Sequence, residues 1–274
     1  MSLQTLRRKL DRIEREAALR RWRGEPLLDT LRAEPDRLMA ASGMPPDAWQ
    51  SQLLQTAAER MLLLCSRQAG KSTVAAALAL RVALLEPRSP ILILSPTDRQ
   101  SSELFRKILD AYRALGPPVP AVGETLHHLQ LANGSRILSL PGTEKTVRGY
   151  SGVALLIIDE AARVDDALYR AVRPMLAVSK GRLIALSTPF GKRGWFHDAW
   201  HSEEPWQRLR ITADECPRIS PAFLAEERRA LGERWYRQEY LCSFEDVIDA
   251  VFSYADIQAA LRDDVKRLFP QGVT

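Results

Sequence analysis

The chain has 274 residues, of which 46% are hydrophobic and 27% charged, a balance that argues against disordered, collagen-like and membrane classes. Its length fits one large domain or two small ones and allows a sizeable core without staples. The net charge is +5, and of 39 basic residues seven are Lys and 32 Arg. That excess permits nucleic-acid contact through the planar guanidinium, although GC-rich codons favour Arg as well.

No run approaches about 18 apolar residues, so no membrane span is expected. The charged N-terminus, from Arg7 onward, lacks the apolar region of a secretory signal. Cys65, Cys216 and Cys242 are far apart, odd in number and show no CxxC spacing, which supports neither a disulfide framework nor a zinc site and fits a reducing cytosol.

Leu3, Leu6, Leu10, Ile13, Ala17 and Leu19 recur at helical spacing and predict an Arg-rich helix over 3–22, either a solvated face or an arm for nucleic acid or a partner. Pro26, Pro35, Pro45 and Pro46 divide the next stretch into short helices. From residue 60, apolar runs alternate with helical segments. Strands are predicted at Met61–Cys65, Ile91–Leu94, Val153–Ile158, Leu183–Leu186 and Gln207–Ile211. Helices are predicted over 72–85, 98–115, about 165–177, 194–201 and 221–240. Leu126–Leu131 and Arg136–Leu140 flank Asn133-Gly134, a hairpin signal. Strands that are apolar throughout and separated by helices imply a parallel sheet covered on both faces, an α/β fold with a helical N-terminal preface.

Residues 65–73 read Cys-Ser-Arg-Gln-Ala-Gly-Lys-Ser-Thr between a strand and a helix, the context of a Walker A phosphate loop. Gly70 lets backbone amides turn inward and the helix N-terminus adds positive potential. Lys71 would reach the β- and γ-phosphates of ATP, and Ser72 would offer its hydroxyl to Mg²⁺. The usual first Gly is replaced by Cys65. Residues 153–160 read Val-Ala-Leu-Leu-Ile-Ile-Asp-Glu, a buried strand ending in two acids at the edge where open α/β sheets bind ligands. Asp159 is expected to hold Mg²⁺ and Glu160 to orient and deprotonate the attacking water. Adjacent acids need different roles because like charges at one site resist joint ionisation. Arg67 and Arg148 are candidates to stabilise the charge that develops on phosphoryl transfer. Ser187-Thr188-Pro189, at the end of the neighbouring strand, would sense the γ-phosphate and pass a shift onward. Trp195, Phe196 and Trp200 read as packing, and the adjacent His127 and His128 as structural, since neighbours on a strand face opposite ways.

Taken in order, these segments resemble the ATPase domain of the large terminase subunit of tailed bacteriophages. Pro46-Asp47-Ala48-Trp49-Gln50 looks like its adenine-recognising motif, with Gln50 reading the base edge. Ser66-Arg67-Gln68-Ala69-Gly70-Lys71-Ser72 resembles its deviant Walker A, and Asp159-Glu160-Ala161 its Walker B. Ser187-Thr188-Pro189 with Gly191 and Gly194-Trp195-Phe196 resembles its coupling motif, and Gln238-Glu239-Tyr240, Phe244 and Val251-Phe252 the end of that domain. The resemblance covers about 45–255. It implies an ASCE-type P-loop NTPase that binds nucleotide through Trp49, Gln50 and residues 66–73 (Ser66, Arg67, Gln68, Ala69, Gly70, Lys71, Ser72 and Thr73). It also implies hydrolysis that drives double-stranded DNA into a procapsid from a homo-oligomeric ring, often a pentamer, on the portal protein. The small terminase subunit would be a further partner and the host cytoplasm the location, with no membrane. Arg148 matches a position that in some members acts on a neighbouring subunit's nucleotide, and it could equally act in its own subunit. The expected division is a helical extension over 1–44, the ATPase domain over 45–255, and a tail over 256–274. The family's ribonuclease-H-type nuclease would begin in that tail, and too little chain follows there to build it. Two other readings remain: a portal-docking module with little hydrolysis of its own, and a helicase-like or repair ATPase.

Overall fold

The computed structural model describes residues 25–142, 147 and 149–246, together with positions 5, 7, 9 and 12, which are helical. The rest of the predicted 3–22 arm, Arg148, Val251, Phe252 and the 256–274 tail lie outside the described residues.

Four apolar runs supply the centre of the sheet. They are β1 (Arg60–Cys65), β2 (Pro90–Ser95), β6 (Leu155–Asp159) and β7 (Arg182–Ser187). Each is buried along almost its whole length, as strands covered on both faces must be. With β3 (Ala121–Glu124), β4 (His128–Leu131), β5 (Arg136–Pro141) and β8 (Gln207–Ile211) they form one sheet in the order β3-β4-β5-β2-β6-β7-β1-β8. The pairings from β5 to β8 are parallel; β3–β4 and β4–β5 are antiparallel. The parallel part places β7 between the loop-bearing β1 and the acid-bearing β6.

Alternate residues of each strand feed two cores. Met61, Leu63, Ile91, Ile93, Leu155 and Ile157 point to one face, under α4 (Lys71–Leu85) and α5 (Asp98–Ala114). Leu62, Leu64, Leu92, Leu94, Leu156 and Ile158 point to the other, under α6 (Asp166–Val172) and α7 (Gly194–His201). α4 is buried almost all round, whereas α5 carries a single apolar stripe and is capped by Thr97, whose hydroxyl accepts from the Gln100 amide at 3.3 Å. The prolines do divide the early chain, into α1 (Glu25–Ala33), α2 (Arg37–Ala41) and α3 (Ala48–Gln55). Leu28, Leu31, Leu38 and Met39 of α1 and α2 belong to the first core.

Some elements differ from the sequence expectation. β3 is a short, largely exposed strand with no apolar run to announce it. The helix predicted to 177 ends at Val172 and tightens into a 3₁₀ turn over Arg173–Leu176, because Pro174 cannot donate to the helical ladder. The segment 221–240 is two helices, α8 (Pro221–Leu231) and α9 (Glu233–Leu241), broken at Gly232 with φ 77°. The Asn133-Gly134 turn joins β4 to β5, and Asn133 Nδ2 donates to Ala83 O at 2.8 Å, docking the hairpin on the end of α4. His127 Nε2 lies 3.6 Å from Asp98 Oδ1 and His128 is a β4 residue. Among the described residues no helix is long and apolar enough to cross a membrane.

Gly181 precedes β7 where a Cβ would lie 1.9 Å from the Val153 carbonyl oxygen. Gly181→Ala is therefore expected to cost at least about 2 kcal/mol in urea denaturation. Gly123→Ala, where the nearest atom is 3.7 Å away, should cost less than about 1 kcal/mol.

Candidate nucleotide-binding active site

The phosphate loop leaves β1 at Cys65, which is paired with Ile211 of β8. The position where Gly is usual is thus an ordinary extended strand residue, and burial pushes its thiol up, so it stays a neutral packing group. The Ser66 amide donates to Ile211 O and the Arg67 amide to Glu239 O, both at 2.8 Å, so β8 and α9 pin the loop. The turn is made by Gln68 at φ 60° and Gly70 at φ 92°. Glycine suits the second because that left-handed φ strains any residue with a Cβ, and Gln50 Nε2 would lie 2.7 Å from such a Cβ. α4 begins at Lys71, with its positive end facing the loop.

The strand β6 ends in the two acids. Lys71 Nζ lies 3.2 Å from Glu160 Oε1, with both side chains largely buried. Ser72 Oγ is 3.5 Å from Asp159 Oδ2. Glu160 sits at φ 50°, a left-handed turn that costs a non-glycine residue on the order of 1 kcal/mol and aims its carboxylate back across β7 at the lysine. Asp159 is buried and its Oδ1 has no hydrogen-bond partner among the described residues. Burial first, and then the neighbouring Glu160, push the Asp159 carboxyl up to about 6. An unpartnered carboxylate oxygen beside a hydroxyl is the donor set of a hard divalent cation, so Ser72 and Asp159 fit Mg²⁺.

The end of β7 closes the site. Ser187 Oγ accepts from the Ala162 amide, and Thr188 Oγ1 accepts from Arg163 Nη1, each at 3.1 Å. The same Arg163 Nη1 is 3.1 Å from Glu160 Oε2, and its guanidinium lies 4.6 Å from the Phe190 ring centre. Both oxygens of Glu160 are therefore held by cations. One of the two leads into the segment after β7, where Pro189 directs the exit from the strand.

On the other side of the loop, the Asp47 amide donates to Gln50 Oε1 at 2.9 Å, capping α3, and Gln50 Nε2 lies 3.4 Å from Gly70 O. Gln50 and Thr73 line a cleft of about 560 Å³ that opens beside Gly70. Trp49 points elsewhere, lining a second cleft with Leu209 and Pro217.

A family model described as "Terminase large subunit, T4likevirus-type, N-terminal" matches residues 62–259. The chain belongs to this terminase family. It is 28% identical over 222 residues to the terminase large subunit of Escherichia phage T5, covering 76% of this chain and 50% of that protein. The chain spans about half the length of the curated relatives it matches. Its fold is similar to the large terminase ATPase domain of Thermus phage P74-26, with TM-score 0.65 and 22% identity over 76% of this chain and 98% of that one. It is also similar to the large terminase of a thermophilic bacteriophage in complex with ATP-gamma-S, with TM-score 0.59 and 16% identity over 73% of this chain and 53% of that one.

In this terminase chain, then, Lys71, Ser72, Asp159, Glu160, Ser187 and Thr188 come together. Ser66, Gln68 and Ala69 build the loop, and Gln50 reaches it from α3. Arg67 is two-thirds exposed, its Nε 3.6 Å from Glu239 Oε2 rather than over the loop. Two site residues escape a sequence reading. Arg163 stands three positions after Glu160, a spacing at which turn or helix residues meet. Arg218 touches Asp47 and Ala69, and no local pattern announces it.

An acid whose folded pKa is raised above its unfolded value of about 3.9 costs folding free energy once ionised. For Asp159 that cost is complete above about pH 6 and fades toward pH 4. Asp159→Asn in EDTA without nucleotide should therefore raise the unfolding midpoint at pH 7.5 and do so progressively less toward pH 4. An equal or lower midpoint at pH 7.5 would contradict the burial argument.

Proposed function

We propose that this chain binds ATP with Mg²⁺ and hydrolyses it, and that hydrolysis moves double-stranded DNA into a viral procapsid. The observation that carries this reading is the meeting of Lys71 and Ser72 with Asp159 and Glu160 across β7. Membership of the terminase family and a fold shared with a terminase solved with ATP-gamma-S support it.

In the reaction, the amides of residues 68–72 and the Lys71 ammonium hold the β- and γ-phosphates. Ser72 and Asp159 would hold Mg²⁺, which would supply neutralisation of phosphate charge. Lys71 turns from Glu160 to the phosphates, which frees Glu160 Oε1 to accept a proton from water. That water attacks the γ-phosphorus, the bond to the β-phosphate oxygen breaks, and ADP and phosphate result. Arg163 keeps Glu160 Oε2 in place throughout. Arg67, a long side chain at the loop, swings onto the developing charge, and Arg148 of an adjacent subunit is the second candidate for that role. Loss of the γ-phosphate lets the Ser187-Thr188-Pro189 segment shift through its hydrogen bonds to the Ala162 amide and Arg163.

The setting that fits this chemistry is a homo-oligomeric ring, a pentamer, on the portal protein in the host cytoplasm, with the small terminase subunit as a further partner. DNA binding would be phosphate-directed, indifferent to sequence and steeply salt-dependent.

Glu160→Gln should bind ATP yet lose about 10²–10⁴-fold in phosphate release, measured with DNA and portal at assembly concentrations. Wild-type turnover no greater than that of Glu160→Gln would remove the motor reading. Lys71→Ala should abolish ATP binding in calorimetry. Mixed Arg148→Ala and Lys71→Ala subunits should recover turnover that neither has alone; no recovery at any ratio would rule out action across an interface.

A further inference from the structure

One cation at the site has no part in the phosphate chemistry above. Arg218 follows β8, yet its Nη1 lies 2.5 Å from Asp47 Oδ1 at the start of α3 and its Nη2 donates to Ala69 O at 3.0 Å. A Cβ on Gly70 would be 3.2 Å from the same Nη2. Arg218 thus joins three distant parts of the chain: the N-terminal segment, the phosphate loop and the strand-to-helix connection after β8.

These groups surround the cleft of about 560 Å³ beside Gly70. Its other walls are Met39, Met44, Pro45 and Pro46, with Gln50 and Thr73 as polar groups. The volume is in the range of small-ligand sites, and mostly apolar walls with few polar groups suit a heteroaromatic ring. The Arg218 side chain is 48% exposed, so a planar cationic face remains available after its two anchoring bonds are made. A guanidinium stacks on aromatic rings, and one already fixed by a carboxylate loses little rotamer freedom in doing so.

We infer that Arg218 is a base-side nucleotide-binding residue, forming with Gln50 and the 39–46 segment a slot for a purine ring next to the phosphate loop. This rests on the nucleotide reading above and extends it to a residue outside the 46–50 segment. The Asp47 carboxylate orients the guanidinium; the ring is stacked against its face, and the phosphates continue past Gly70 to Lys71. Occupancy of the slot thereby couples the N-terminal segment to the chain that leaves β8.

The test compares ligands with and without a base. Dissociation constants for ADP, ATP and inorganic tripolyphosphate are measured calorimetrically on the full chain, for wild type, Arg218→Ala and Arg218→Lys. A cation–ring contact of about 1–2 kcal/mol predicts an approximately tenfold weaker affinity for ADP and ATP in both variants. Tripolyphosphate affinity should stay within about twofold of wild type. Lysine keeps the ion pair with Asp47 but not the plane, so it serves where the alanine variant fails to fold. ADP affinity unchanged in Arg218→Lys, or tripolyphosphate weakened as much as ADP, would overturn the inference and make Arg218 a strut of the loop. A wild-type chain that binds none of the three would overturn the nucleotide reading itself, and the inference with it.

Discussion

The Lys71–Glu160 ion pair is the contact around which the site is organised. Two charges largely withdrawn from water face each other at 3.2 Å, one at the start of α4 and the other just past the end of β6. Their strands are separated by β7, two strand spacings or about 10 Å, so only long side chains meet. A buried pair of this kind contributes little net stability, because desolvation consumes most of the Coulomb attraction. Asp159 adds a carboxyl that burial holds well above the ordinary range. Removing one partner would leave the other charge uncompensated in the same crevice. A ligand carrying both an anion and a cation relieves all of these at once, which is why this geometry is suited to a metal-bound polyphosphate.

In the proposed reaction the same pair would also carry the effect of occupancy beyond the site. Glu160 is shared between Lys71 and Arg163, and Arg163 is shared between Glu160, Thr188 and the Phe190 ring. If Lys71 turns to phosphate as proposed, the load on Glu160 would pass to Arg163 alone, and with it to the segment after β7. A ligand shifts such a balance only by its differential affinity for the two arrangements, and an exchange of Lys71 between Glu160 and phosphate would supply that difference. On the other side of the loop, the Asp47–Arg218–Ala69 connection makes a second link, from the N-terminal segment into the loop.

Much of this was legible in the sequence because the strongest signals are local. Continuous apolar runs gave β1, β2, β6 and β7, and the helix after the Gly70-Lys71 turn begins where expected. The acids at 159 and 160 follow directly from a strand that must end at a polar edge. Much of what was not legible was non-local. Arg218 acts through Asp47 and Ala69, which lie more than a hundred positions away in the chain. β3 is exposed and has no alternation to betray it. Trp49 and Gln50 are neighbours on α3, yet helical geometry sends only Gln50 to the loop-side cleft. The absent first Gly loses its weight once Cys65 is seen to be a paired strand residue.

The most direct test is a structure of the chain with Mg²⁺ and a nonhydrolysable ATP analogue, read at a single distance. Lys71 Nζ and Glu160 Oε1, 3.2 Å apart without nucleotide, should separate as the ammonium moves onto the β- and γ-phosphates, while Glu160 remains paired with Arg163 beside the γ-phosphate. An analogue bound away from the 66–73 loop, or bound there with the Lys71–Glu160 pair intact, would contradict the account.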